Sequence, residues 1–546
     1  MRVLRISLLL FLFIFCYSDT QAAPVDSVTA KIIATNFYSQ YYSANNISLS
    51  LAYTEVDDNG LPVYYIFNVN GNNGFVIVCA DDIVHPVIGY SNTGHYNPVT
   101  LPVNIAGWFN HYKKEVEYAR SNKIAATSEI QNEWTRYKNN QAPIQRTMGN
   151  VNPLIGAVWE QAPYFNKYCP DTCVAGCVAT AMAQIMKYWA FPPHGLDSAS
   201  YDDPGYGTQS ACFDTTHYNW AAMPNLVSHP NAQVAILSYQ LGVSVNMAYT
   251  PELSGSYMLA DDAYYMGGIS SQTAYPKYFG YNGGTIQGLY MSDYTYNAWV
   301  SMLENELNNG RPIQYAGDGD QGGHSWVCDG YNSAGDFHMN WGWGGGLDGY
   351  YALSSLSPGG TPLNNDEEAL IGIEPRAAVA DFKADHIIIR AGDTVHFTDN
   401  SFGTAPITNW QWNLPGANII SSDSGNPTVV IYPTPGSYNA TETVTNSKGN
   451  ATKQLLNYIT VLENDNVNVF PTTNDGNFTI QLHDGSLTGS NIQFNLYDVL
   501  GHKVYTTTLT HFVTQVSLQL PHGLYVYRTV NTSEKTLTWG KLIIGD

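Results

Sequence analysis

The chain has 546 residues, 44% of them hydrophobic, and a formal net charge of −22. That length exceeds one hydrophobic core and points to about three or four folded domains. The acidic excess argues against binding to nucleic acid or to an anionic membrane, since both need clustered Lys and Arg.

At the N-terminus, MRVLRISLLLFLFIFCYSDTQA reads as a secretory signal peptide, residues 1–22. Arg2 and Arg5 precede an apolar core, Leu8 to Phe15, too short to span a bilayer, and small residues place cleavage after Ala22. Phe15 stands before Cys16 where a lipoprotein anchor wants a small residue. No later segment is long and apolar enough for a transmembrane helix. Removing the signal leaves Cys79, Cys169, Cys173, Cys177, Cys212 and Cys328. Export permits disulfides, but six cysteines in so long a chain are not a disulfide framework.

Residues 24–145 read as a compact α+β unit. A helical stripe (Val28, Ile32, Ile33, Phe37) is followed by the strands VYYIFNVN, GFVIVCA and PVIGYS and by a helix near Ile105 to Arg120. The polar stretch TSEIQNEWTRYKNNQAPIQRT reads as an exposed linker. From about residue 150 to 374 the clearest element is a helix from Val178 to Trp189, before Gly- and Trp-rich strands. After Glu374 short alternating strands between Gly, Pro, Asn and Asp turns predict two all-β units that meet near Glu463. In the first of these, Trp410 and Trp412 are expected to alternate as core and surface residues of one strand.

Chemistry concentrates in CPDTCVAGCVATAMAQIMKYW. Val178, Ala181, Met182, Ile185, Met186 and Trp189 form a helical stripe that Phe191-Pro192-Pro193 stops. Cys177 therefore falls in the first turn, where unpaired N–H groups and the positive end of the helix dipole favour a thiolate. Cys169 and Cys173 lack that setting. Their spacing is poor for zinc, and a structural role is open to them, one of them pairing with Cys212. A nucleophile needs a base. His324 lies in GGHSWVCDGY, delivered by a Gly-rich loop ahead of an apolar strand. In FHMNWGWGGGLDGYY, Asn340 is placed to accept from the imidazole N–H and Trp341 to shield that bond from water. His338 alternates with apolar residues and reads as structural.

GCVATAMAQIMKYW, GGHSWVCDGY and HMNWGWGGGLDGYY resemble three signatures of the streptopain-type cysteine peptidases, by order and spacing as well as content. The resemblance spans roughly residues 24 to 374 and implies a papain-like α+β fold without cofactor or metal. It makes Cys177 the nucleophile, His324 its base, and Asn340 and Trp341 the residues that orient and cover the histidine. The Cys177 backbone N–H would serve the oxyanion hole, with Gln161 of WEQAPYFN as the side-chain donor. Some members carry a glutamine in the loop before the histidine; Ala316 stands there in this chain. Residues 23–147 resemble the family's propeptide, which folds independently and blocks the active site of the zymogen. Residues 148–374 then form the peptidase domain.

The tail resembles two further modules. Residues 375–463 are similar to a PKD-type β-sandwich of the immunoglobulin-like class. Residues 464–546 are similar to a type IX secretion sorting domain of Bacteroidetes-like bacteria. The implied protein is a secreted or surface cysteine endopeptidase, made as a zymogen and exported through the periplasm. Its implied partners are protein or peptide substrates, its own propeptide and the secretion machinery. A transglutaminase-like acyl transferase would use the same Cys–His pair, although its orienting residue is usually Asp. A surface adhesin built on a non-catalytic papain-like scaffold is the reading from another class, and the intact Cys177, His324 and Asn340 set argues against it.

Overall fold

The computed structural model describes residues 23–42, 46–141, 149–319, 322–354, 367–423, 426–462, 467–482, 492–530 and 536–545. The signal peptide and the expected borders at 147 and 463 lie outside the described residues. The chain divides into one unit of residues up to Val379 with 402–406, and a second of 380–401 with 407–546.

The first unit opens with α1 (Ser27–Tyr41), whose N-cap Asp26 accepts from the Thr29 N–H. It buries Ala30, Ile33, Ala34, Phe37 and Tyr38. Val28 and Ile32 of the expected stripe are instead 69% and 48% exposed. Beside Ile33, Phe37 and Tyr38 the core side is completed by the small Ala30 and Ala34, which are weak apolar markers in sequence. Then come β1 (Leu49–Val56), β2 (Pro62–Val69), β3 (Phe75–Cys79), β4 (Val87–Ser91), α2 (Val103–Ser121) and α3 (Ser128–Lys138). The last of these replaces the expected exposed linker. Thr127 caps it by accepting from the Ile130 N–H, and Ile130, Trp134 and Tyr137 are buried along one face.

The remaining elements are α4 (Cys177–Trp189), β5 (Ser198–Asp203), β6 (Gly207–Cys212), α5 (Ala232–Ser244), α6 (Ala260–Met266), α7 (Ser271–Tyr278), β7 (Gln287–Tyr290), α8 (Tyr296–Asn308), β8 (Ile313–Gly319), β9 (Gly322–Tyr331), β10 (Phe337–Asn340), β11 (Gly349–Tyr351) and β12 (Glu368–Ile371). Ten strands form one sheet in the order β1-β2-β3-β4-β11-β10-β9-β8-β12-β7. All its pairings are antiparallel. The N-terminal strands β1–β4 thus continue directly into the strands that carry His324 and Asn340. The seam is Tyr90 opposite Tyr350 and Gly89 opposite Tyr351. A Cβ on Gly89 would lie 2.7 Å from the Tyr351 ring, so only glycine lets the two strands close.

Side chains reinforce this seam. Trp108 of α2 packs edge-on against Trp326 and Trp341, with ring centroids 5.8 and 5.7 Å away. Ser354 donates to the Glu115 carboxylate at 2.6 Å, and Ser91 donates to the Asp348 carbonyl, also at 2.6 Å. One hydrophobic cluster runs from Phe37 and Tyr90 through Trp108 to Trp326, Trp341 and Tyr351. On the other side of the sheet, α4 and α5 pack together within a second cluster.

The second unit is all-β. Phe382–Ala384, Thr394–Asp399, Asn426–Ile431 and Asn418–Asp423 make one four-stranded sheet, and Ile388–Arg390, Gly449–Leu462, Gly436–Asn446 and Ile407–Asn413 another. Trp410 and Trp412 are two apart on one strand, so they share a face rather than alternate. Both are half-buried: Trp412 packs on Phe382 and Phe397, and the Trp410 indole donates to Asp399. Residues 467–545 add a three-stranded and a five-stranded sheet around Phe478, Phe494, Leu496 and Leu542.

Glu442 is buried in this unit. Burial, and then the neighbouring Asp399, pushes its carboxyl up from 4.5 to about 8. Between these values the unfolded chain has released the proton that the folded chain keeps. Stability from this group is therefore fully present below about 4.5 and is lost as pH rises through about 8. Glu442→Gln should flatten the decline in the melting transition of this unit over that range. Calorimetry showing an unchanged slope would remove Glu442 as its cause.

Candidate active site

Cys177 is the first residue of α4 and is 7% exposed. Gly176 before it has φ 91°, and a Cβ there would lie 2.6 Å from the Met247 sulfur. Glycine is thus required both by the backbone turn into the helix and by the packing of Met247. Burial pushes the Cys177 thiol up, and the backbone N–H groups of Ser325, Val178 and Cys177 itself pull it back. The Ser325 contact brings β9 to the sulfur.

His324 lies on β9, 4% exposed, and neither ring nitrogen has a hydrogen-bond partner among the described residues. Burial holds its imidazole below the usual histidine range. Strand alternation puts His324 on the same face as Trp326, while Ser325 takes the other. Cys177 and His324 line one cleft of about 540 Å³ with Val178, Ser256, Met258, Ala316 and Gly317. Every described lining residue falls between Cys177 and Glu368, so no described residue of the N-terminal segment lines the cleft. It reaches the His324 strand through Trp108 instead.

Asn340 ends β10 and is buried. Its amide donates to the Ala157 carbonyl at 2.8 Å, and its oxygen accepts from Gln184 at 3.0 Å and from the Gly342 N–H at 3.3 Å. These bonds run to α4 and to the segment before it, and the described hydrogen bonds do not link Asn340 to His324. The Trp341 ring is fully buried against Trp326, Tyr351 and Trp108. Its backbone N–H donates to Asp348 at 3.0 Å. Gln161 is buried, and its carbonyl accepts from the Ala175 N–H, two residues before Cys177. Its side chain is not among those lining the cleft.

Gln184 is the residue that the sequence reading passed over. It is fully buried on α4, donates to Asn340 and accepts from the Trp159 N–H at 3.1 Å. A glutamine inside an apolar helical stripe is the signal that would have marked it, because a buried amide needs partners.

All six cysteines are free, so Cys169 and Cys173 have no disulfide to Cys212. The Cys212 thiol donates to Asp214 at 3.0 Å. Burial raises the Cys169 thiol to about 12. His338 is tied to Asp329 at 2.6 Å. No group of three or more His, Cys, Asp or Glu among the described residues is arranged to hold a metal.

A thiol at a helix N-terminus, sharing a cleft with a histidine on the adjoining sheet, defines a cysteine-dependent hydrolase. Residues 159–351 match the Peptidase C10 family and 22–116 the Spi protease inhibitor. Residues 380–459 match the PKD domain and 468–545 a secretion system C-terminal sorting domain. Streptopain of Streptococcus pyogenes is 32% identical over 336 residues, 57% of this chain and 80% of that protein. The thiol protease/hemagglutinin PrtT of Porphyromonas gingivalis is 32% identical over 397 residues, 68% of this chain but only 44% of that protein. A solved fragment of Prevotella intermedia prointerpain A aligns with TM-score 0.46 and 26% identity, over 61% of this chain and all of that one. The chain belongs to the Peptidase C10 family. It is a cysteine endopeptidase with an N-terminal inhibitor segment, a papain-like α+β peptidase domain, a PKD domain and a sorting tail that marks it as secreted or surface-borne. Among the described residues no helix is long and apolar enough to cross a membrane.

Proposed function

We propose that Cys177 attacks the scissile carbonyl carbon while His324 takes the thiol proton and passes it to the leaving amine. The C–N bond breaks and a thioester to Cys177 remains. Water, giving a proton to His324, then attacks the thioester carbon; the acid leaves and the proton returns to the thiol. The Cys177 N–H and the Gln161 amide would hold the oxyanion. Asn340 orients the imidazole and Trp341 covers that contact in the mature enzyme. The observation that carries this reading is the Cys177 thiol at the start of α4, with the Ser325 N–H directed at it, in the cleft that His324 lines.

We place the propeptide at 23–147, the peptidase at 148–374, the PKD unit at 375–463 and the sorting domain at 464–546. The propeptide acts as an intramolecular inhibitor of protein cleavage, and the tail is the address that the type IX machinery reads. We attribute latency to the following arrangement. With β1–β4 in place, His324 shares a face with Trp326, its nitrogens are unpartnered, and Asn340 is engaged elsewhere. Release of Trp108 frees the β9 face for His324 to turn toward Cys177 and Asn340.

Steady-state hydrolysis by the processed enzyme tests these roles. His324→Ala should lower turnover about 10³-fold or more, and Asn340→Ala about 10- to 100-fold, because the base moves the proton and the orienter only aims it. An Asn340→Ala enzyme that is folded and fully active would take Asn340 out of the site.

A further inference from the structure

The cleft has an electrostatic character that the peptidase chemistry does not require. Among the described residues its lining includes two carboxylates, Asp262 and Glu368, and neither Lys nor Arg. Both are half-buried. Asp262 accepts from the Tyr290 hydroxyl at 3.1 Å, and Glu368 stands opposite Tyr290 in the β12–β7 ladder. Tyr290 thus lies between the two acids and ties them to one wall.

That wall is close to the reacting groups. Glu368 pairs with Ala316 across β12–β8, and Gly317, the next residue, pairs with His324 across β8–β9. Two strand spacings amount to roughly 10 Å. An extended peptide advances about 3.4 Å per residue, so the wall is reached within about three residues of the bond being cut. Asp262 stands in the first turn of α6, where acids stabilise a helix, but that position does not account for Glu368 on β12. The same cleft holds His324, 4% exposed, with neither ring nitrogen partnered among the described residues. The net charge of −22 acts in the same direction, drawing cations toward the protein.

We infer that the cleft selects peptides that place a Lys or Arg side chain against Asp262 and Glu368, within three residues of the scissile bond. This rests on the peptidase reading of Cys177 and His324 and adds the substrate class. A cationic head reaching two half-buried carboxylates makes charge-assisted hydrogen bonds that a neutral isostere cannot match.

The test compares kcat/KM of the processed enzyme on peptides that differ only by Arg against citrulline, at each of three positions on either side of the bond. The expected result is a preference for Arg of about tenfold or more at one position. That ratio should fall toward one in Glu368→Gln and in Asp262→Asn, and it should shrink as salt is raised. Equal cleavage of Arg and citrulline peptides at every position by the wild-type enzyme would overturn the inference and leave the peptidase reading intact. An Arg preference that neither variant reduces would overturn the assignment to this wall. Failure to cut any peptide would overturn the peptidase reading and this inference with it.

Discussion

Cys177→Ala should abolish peptide hydrolysis, with a loss of about 10⁴-fold or more, since no other group can form the acyl-enzyme. Cys169→Ala and Cys173→Ala should keep the chemistry. Both of those thiols are buried upstream of α4, and neither lines the cleft. Their truncation costs packing, on the order of 1–2 kcal/mol, and shows in the melting temperature rather than in turnover. The measurement is active-site titration with a thiol-directed reagent beside steady-state rates. Substantial turnover by a folded Cys177→Ala protein would sink the assignment.

Trp108→Ala should weaken latency. The indole belongs to the propeptide, yet it packs against Trp326 on the His324 strand and against Trp341 beside Asn340. Truncating a buried Trp costs about 3–5 kcal/mol, shared here between the propeptide's own core and the contact with the peptidase. The uncut zymogen of Trp108→Ala should hydrolyse small peptides about 10²-fold faster than wild type and should mature sooner. Trp108→Phe should fall between the two. A folded Trp108→Ala zymogen as silent as wild type would show that latency lies elsewhere.

Much of this arrangement is legible in the amino-acid order where spacing is local. The α4 stripe and its Pro stop locate the helix within one residue, and the Gly before Cys177 marks the tight entry. The errors come from composition. In α3, Ile130, Trp134 and Tyr137 form a stripe, but Gln, Asn, Glu, Thr and Arg between them made the stretch read as linker. In α1, Ala30 and Ala34, which carry little sequence signal, join Ile33 and Phe37 on the buried face while Val28 and Ile32 point out. The buried amide network was out of reach for a different reason: Gln184 meets residues 25 and 156 positions away, and no local pattern encodes such a meeting. The same holds for Asp262 and Glu368, which share a wall only after the sheet has formed.

The seam at β4 and β11 sets what happens after the chain is cut. Only two residue pairs register there, so the ladder itself holds the departing segment weakly, and the hold rests on side chains: Trp108 on its aromatic neighbours, Ser354 on Glu115 and Ser91 on the Asp348 carbonyl. Departure turns β11, three residues long, into the rim of the sheet. A rim that short offers few free N–H and C=O groups to a neighbouring chain. Maturation therefore strips four of ten strands from the sheet without leaving a sticky border, which suits an enzyme that must stay dispersed in the medium after its partner segment is gone.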